Sequence, residues 1–233
     1  MDDTTLKEHR MALALATKGT SPYSVYFMAL RLMKEHKVQG DLLEFGAGIG
    51  TMISQLHANG YQGRITGVDM MPKPADIPAE IEWRQADLND KTDLPDRSFD
   101  AILSTEVIEH LENPRAVFRE FHRLLRPGGI LIMTTPNQES LRSLLSLVFG
   151  THFAAFVEGA YPLHITALIR KDLEHLCLET GFAPPEFAFD NSGSIPKFPW
   201  LRFEKFGLKG RLFSDGIAIV TRKLDRPAAP AKA

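Results

Sequence analysis

The ten residues LLEFGAGIGT, 42–51, lead from an apolar strand into a loop where Gly46, Gly48 and Gly50 alternate with Ala47 and Ile49. No other stretch restricts the fold as much. A strand that ends in such a loop and is followed by a helix opens a doubly wound α/β sheet, whose ligands sit outside the carboxyl ends of the strands. Glycines permit the tight turn and let a ligand approach the backbone closely. A dinucleotide fingerprint, G-x-G-x-x-G, would need its third glycine at position 51. That position is Thr51, and the loop reads G-x-G-x-G, so the pyrophosphate-specific signature is missing.

The rest of the chain keeps the same rhythm. Strand-like segments are expected at Asp41–Gly46, Arg64–Asp69, Ile81–Gln85, Phe99–Ser104 and Gly129–Thr135, each short, mostly apolar and bounded by turn residues. Helices are expected at Met52–Asn59, weakly near 71–79, and strongly at Pro114–Arg126. Asn113 and Pro114 supply the start of that last helix, and Pro127-Gly128-Gly129 stops it. Near-continuous apolar strands alternating with helices predict a parallel sheet covered on both faces. Beyond Pro136 an amphipathic stretch, Gln138–Phe156, precedes a helix at Arg170–Thr180, a strand near Glu186–Asp190 and a final strand at Gly216–Arg222. The expected organisation is a helical cap (1–38), a cofactor-binding half (39–137), a variable lid (138–165), the remainder of the same domain (166–226) and a Pro/Ala-rich disordered tail (227–233).

Acidic residues narrow the ligand. Glu44, two residues before the first glycine, would repel a pyrophosphate but suits a cationic amine. Asp69, ending the second strand, can take both hydroxyls of a ribose. Asp87 and Leu88 offer a polar group and an apolar wall to an adenine. A ribonucleoside with an amino-acid tail and no phosphates fits this set, and S-adenosylmethionine is such a molecule.

Five stretches, LLEFGAGIGT, ITGVD, ADLND, FDAILSTEVIEHLENP and LLRPGGILIMTTPN, stand here in the order and at the spacing of one family. Over about residues 41–137 the sequence resembles the class I S-adenosylmethionine-dependent methyltransferases, in particular their small-molecule branch, and HITALIRKDLEHLCLETGF (164–182) is similar to the family's late helix. The resemblance implies a Rossmann-like α/β fold: a seven-stranded, mainly parallel sheet with helices on both faces and the last strand antiparallel. It also implies cofactor contacts from Glu44, Gly46, Ala47, Gly48, Asp69, Met70, Asp87 and Leu88, with Ser104, Thr105 and Glu106 under the methionine moiety.

Methyl transfer to a hydroxyl needs alignment and a base. His164, after the lid and at the mouth of the expected site, is the first candidate. His110, just past the fourth strand, is the second; it also reads as a structural histidine that bonds loop backbone. Tyr23, Tyr26 and Tyr161 are candidates for the acceptor pocket, with aromatic packing as the plainer alternative. The carboxylates near the motifs are allotted to the cofactor or stand singly, so no metal is expected.

Composition removes other classes. With 27 basic and 29 acidic residues the net charge is −2, which gives no global case for nucleic acid. The single cysteine, Cys177, rules out an internal disulfide and reads as a buried helix residue. The polar start MDDTTLKEHR is unlike a signal peptide and no apolar run approaches a membrane span, so a cytoplasmic protein is expected. Two segments leave room for peripheral membrane contact: the apolar stripe Leu141, Leu144, Leu145, Val148 and Phe149, and the later run in which Phe198, Trp200, Phe203 and Phe206 interleave with Lys197, Arg202, Lys205, Lys209 and Arg211. The sequence points to methylation of a small molecule at oxygen, on a glycan, lipid-linked intermediate, quinone or natural product. N-methylation of a sugar amine or natural product, and a non-catalytic cofactor-binding module, are the rivals.

Overall fold

A computed structural model describes residues 3–195 and 198–225. Lys197 and the expected 227–233 tail lie outside the described residues, as do the side chains of Phe198 and Trp200. Helices α1 (Asp3–Thr17) and α2 (Tyr23–Glu35) precede β1 (Leu42–Phe45), α3 (Thr51–Ala58), β2 (Ile65–Asp69) and β3 (Glu82–Gln85). Then come β4 (Phe99–Thr105), α4 (Pro114–Leu124), β5 (Leu125–Pro136), α5 (Leu141–Gly150) and α6 (Arg170–Glu179). The chain continues through β6 (Glu186–Phe189), a small hairpin of β7 (Ser194–Ile195) and β8 (Phe198–Arg202), and β9 (Gly216–Arg222).

Seven strands form one sheet in the order β3-β2-β1-β4-β5-β9-β6. Pairings from β3 through β5 are parallel, whereas β9 lies antiparallel between β5 and β6. The expected seven-stranded sheet with an antiparallel last strand is therefore what the chain builds.

Alternation along the strands sends side chains to two separate apolar layers. On one face Leu43, Phe45, Ile102, Leu131 and Ile219 meet Phe118 and Phe121 of α4 and Leu173 and Cys177 of α6. On the other Leu42, Ala101, Leu103, Ile132 and Val220 meet Met28, Ala29 and Leu32 of α2 and Met52, Ile53 and Leu56 of α3. Burial pushes the Cys177 thiol up to about 12, so it stays protonated as a core residue. Asn113 caps α4 through its side-chain oxygen, which accepts from the Ala116 N–H at 3.1 Å.

Three expectations change. The helix near 71–79 does not form, because Pro72, Pro74 and Pro78 cannot donate helix bonds and the segment is turns. The Lys73 ammonium holds these turns together by donating to the Pro78 and Ile81 carbonyls at 2.8 and 2.7 Å. Second, within the expected 1–38 cap, α2 lays its buried face, including Val25, Ala29 and Leu32, on the sheet as one of its covering layers, whereas α1 lies at the carboxyl ends of the strands. Third, the amphipathic helix after Pro136 ends at Gly150, where Thr151 takes a left-handed conformation. Its apolar stripe faces outward: Val148 is 70% and Phe149 84% exposed, and Ser143 is the helix's one buried residue. No helix among the described residues is long and apolar enough to cross a membrane.

Candidate active site

Beyond the carboxyl ends of β1, β2 and β4 lies a cavity of about 600 Å³, roofed by Arg10, Leu13 and Ala14 of α1 and by the 19–22 turn. Its floor is the glycine loop. Gly46 and Ala47 N–H groups donate to the Val68 carbonyl, tying the loop to the end of β2. Asp69 fixes the remainder, since one carboxylate oxygen accepts from Gly48 N–H at 2.7 Å and the other from Met71 N–H at 2.8 Å. Burial raises the Asp69 pKa against those bonds. Each Asp69 oxygen keeps a second lone pair for a ligand hydroxyl.

Glycines in this loop answer to protein neighbours. Gly46 and Gly48 both have positive φ, and a Cβ at Gly46 would collide with Val107. At Gly48 it would collide with the backbone carbonyl of Gly19 in the roof. Gly50, at φ +77, is the cap residue of α3 and packs on Ile77.

Gly50 has no side chain with which to cap that helix. Glu44 of β1 is buried near its first turn, where the Ile53 N–H favours the carboxylate and offsets part of the cost of its burial. Glu44 is 2% exposed, its Oε2 has no hydrogen-bond partner, and it does not line the cavity. Burial first, then the Asp69 charge, hold its pKa well above the usual carboxylate range. A raised folded-state pKa means that the native protein keeps a proton which the unfolded chain loses above pH 4.5, so stability falls as pH rises from there toward the raised value. Glu44→Gln is expected to flatten that decline by up to about 1.4 kcal/mol per pH unit. Urea melts of both proteins across that range check this; parallel stability profiles would overturn it.

At the far end of the floor Asp87 and Leu88 line the cavity. Asp87 Oδ1 accepts from the Asn89 backbone and side chain at 3.0 Å, but its buried Oδ2 has no hydrogen-bond partner. Arg10 of the roof stands 3.6 Å from that oxygen and also pairs with Glu112. An acceptor with no hydrogen bond of its own, facing only the more distant Arg10 charge beside an apolar wall, fits the exocyclic amine of an adenine, and with Asp69 beside it this end of the cavity fits an adenosine.

The opposite wall is built from the 3₁₀ turn Ile108–His110 and from the segment after α5, which returns over it at Leu163 and His164. The His110 and His164 rings lie 4.9 Å apart. His110 Nδ1–H donates to the Leu163 carbonyl at 2.8 Å and His164 Nδ1–H to the Ala155 carbonyl at 2.5 Å. Burial pushes both imidazoles below their usual pKa, so both are neutral at pH 7. Glu106, at φ +55, lines the same wall and accepts from the Thr134 hydroxyl at 3.0 Å. Burial and the Glu109 charge hold its pKa well up. Glu109 is 1% exposed, with Oε2 accepting from Thr135 Oγ1 and Oε1 unpartnered; burial pushes its pKa up to about 8.

Of the residues singled out in the sequence, the fold gathers Gly46, Asp69, Met70, Asp87, Leu88, Thr105, Glu106, His110 and His164 around this cavity. Ala47, Gly48 and Ser104 are buried behind its surface. The three tyrosines stand elsewhere: Tyr23 and Tyr161 are 72% and 74% exposed, while Tyr26 is buried and its hydroxyl accepts the Ser21 N–H, bracing the roof. Glu109 and Arg10 are wall residues that the sequence did not single out. Glu109 sits inside the quoted EVIEHL, beside His110, and that adjacency was the available signal. One candidate ligand atom each from Glu109, His110 and His164 lies within 4.8 Å of the other two, because the turn and the segment that returns at Leu163 and His164 converge on one wall.

Known proteins agree with this architecture. The chain is 30% identical over 156 residues to a 37.1 kDa protein of transposon TN4556 in Streptomyces fradiae, covering 61% of this chain and 43% of that one. It is 27% identical over 115 residues to a ubiquinone biosynthesis O-methyltransferase of Pseudomonas syringae pv. tomato, covering 46% and 49%. The matches thus span about half, or less, of these curated relatives' own length. Among solved structures, a SAM-dependent methyltransferase from Archaeoglobus fulgidus superposes with a TM-score of 0.62 at 18% identity, over 95% of this chain and 100% of that one, which is a likeness of fold. Residues 27–184 match a family described as a methyltransferase domain, and the chain belongs to that family, within the class I S-adenosylmethionine-dependent methyltransferases.

Proposed function

We propose that the protein transfers a methyl group from S-adenosylmethionine to a small molecule, at an oxygen of a glycan, lipid-linked intermediate, quinone or natural product. One observation carries this reading: a single cavity joins an adenosine-fitting end, Asp69 and Asp87, to a wall of two neutral imidazoles. Bound S-adenosylmethionine supplies a methyl on a sulfonium, open to in-line attack. Asp69 takes the ribose hydroxyls, and Asp87 and Leu88 hold the adenine. The acceptor lies against the His110–His164 wall, which removes its proton; His164 is the first choice for that task. The name of the ubiquinone O-methyltransferase relative supports oxygen as the target. The outward apolar face of α5 supports an acceptor delivered from an apolar surface.

Titration calorimetry with S-adenosylmethionine and extracts incubated with methyl-labelled cofactor test this together. Binding in the micromolar range and a labelled small product are expected; no binding at millimolar cofactor overturns the reading. With the acceptor in hand, His164→Ala should lower kcat by about 10²-fold or more and leave cofactor affinity unchanged. Unchanged kcat across pH removes His164 from the acceptor site.

A further inference from the structure

We propose that Glu109, His110 and His164 form a binding site for one divalent transition-metal ion on the acceptor wall. This rests on the reading of that wall as the acceptor site, and it departs from the metal-independent chemistry expected of the sequence. One donor atom from each of the three residues lies within 4.8 Å of the other two. Coordination at about 2.0–2.2 Å would bring them to about 3.3 Å apart, a shift of the order of 1 Å per side chain.

Three observations point to an ion rather than to a chance meeting of side chains. Glu109 Oε1 is buried, lines the cavity and has no hydrogen-bond partner, although its sister oxygen is satisfied by Thr135. A buried carboxyl oxygen without a partner is costly, and a cation that displaces the carboxyl proton is a partner that repays it. Both imidazoles donate Nδ1–H to main-chain carbonyls, of Leu163 and Ala155. That bond fixes the ring and leaves Nε2 as the lone-pair nitrogen, which is how metal-ligating histidines are oriented. Finally, the three ligands come from two elements facing an open cavity, so coordination positions remain for an acceptor.

Two imidazole nitrogens and one carboxylate suit an ion such as Zn²⁺, and do not suit Mg²⁺, which favours oxygen donors. Three protein ligands with an open position is the pattern of a catalytic site. With Nε2 of both imidazoles on the ion, His164 acts as a ligand in place of the base proposed above: an acceptor hydroxyl bound there would become more acidic and release its proton to water. Its oxygen lone pair then forms the O–CH₃ bond while the C–S bond breaks and its electron pair stays on sulfur. The products are the methylated acceptor and a neutral thioether.

Protein stripped with a chelator and titrated with Co²⁺ alone tests the site, because a bound cobalt ion reports its ligands in visible absorption. One equivalent per chain, displaced by Zn²⁺, is expected. Glu109→Gln and His164→Gln should each weaken Co²⁺ binding by at least about tenfold. Circular dichroism and S-adenosylmethionine titration of each variant establish that it is folded. Absence of saturable Co²⁺ binding below about 1 mM, in protein that binds S-adenosylmethionine, overturns the metal site and leaves the methyltransferase reading standing. Wild-type Co²⁺ affinity in both folded variants overturns the assignment of ligands. Failure to bind S-adenosylmethionine strikes the underlying reading instead.

Discussion

Asp69→Ala is expected to weaken S-adenosylmethionine binding by more than about 100-fold. Both carboxylate oxygens are already committed to loop amides, Gly48 and Met71, at 2.7 and 2.8 Å. Each is a hydrogen bond to a charged group, worth about 1.5–3 kcal/mol, so the pair holds the floor with about 3 kcal/mol or more. Alanine removes that hold and the proposed ribose contacts at once, leaving two buried N–H groups unsatisfied. Asp69→Asn keeps one accepting oxygen and should fall between the two. Calorimetry on all three proteins gives the order directly. If the alanine variant binds within a few-fold of wild type, Asp69 is neither the ribose ligand nor the organiser of the loop.

Gly48→Ala should be the most damaging single methyl group in the loop, destabilising the fold by about 2–5 kcal/mol. Two penalties coincide there. The residue sits at φ +55, and its new Cβ would be driven into the Gly19 carbonyl, a backbone atom with no rotamer to yield. Gly60 separates these causes, because it has φ +75 with nothing within 4 Å of a Cβ. Gly60→Ala should therefore show only the conformational cost, about 1–2 kcal/mol. Urea midpoints of the two variants give the comparison. Equal losses would mean that the roof does not bear on the loop. The same contact predicts that Gly48→Ala lifts the roof and weakens cofactor binding beyond what its stability loss explains.

Much of the fold was legible because it depends on local regularities. β1, β2, β4, β5 and β9 are apolar runs of the right length, and the Asn113-Pro114 start of α4 is a capping signal readable without any partner. What escaped depends on neighbours distant in sequence. Nothing near Glu44 announces that it is buried behind the cavity wall, out of the lining where the amine contact inferred for it would be made. Tyr23 and Tyr161 carry the right chemistry but emerge on the outside. The stripe on α5 has core-like periodicity, yet among the described residues Val148 and Phe149 stay exposed. Likewise, the wall of Glu109, His110 and His164 exists only because the segment before α6 folds back, with Ile165 and Thr166 N–H groups donating to the Glu109 carbonyl.

Placement of β9 between β5 and β6 also sets an order of assembly. The last of the described strands is inserted into the sheet rather than added to its rim. β6 has no sheet neighbour until β9 exists, and β5 keeps an open edge, where residues Ile130–Pro136 wait for Arg222–Gly216. Strands β1 to β5 can pair while the chain is still being made, but the sheet closes only when Gly216–Arg222 arrives, a long-range step that is slow by its nature. Until then the nascent protein carries an unpaired, apolar strand edge, the feature through which unfinished sheets find one another.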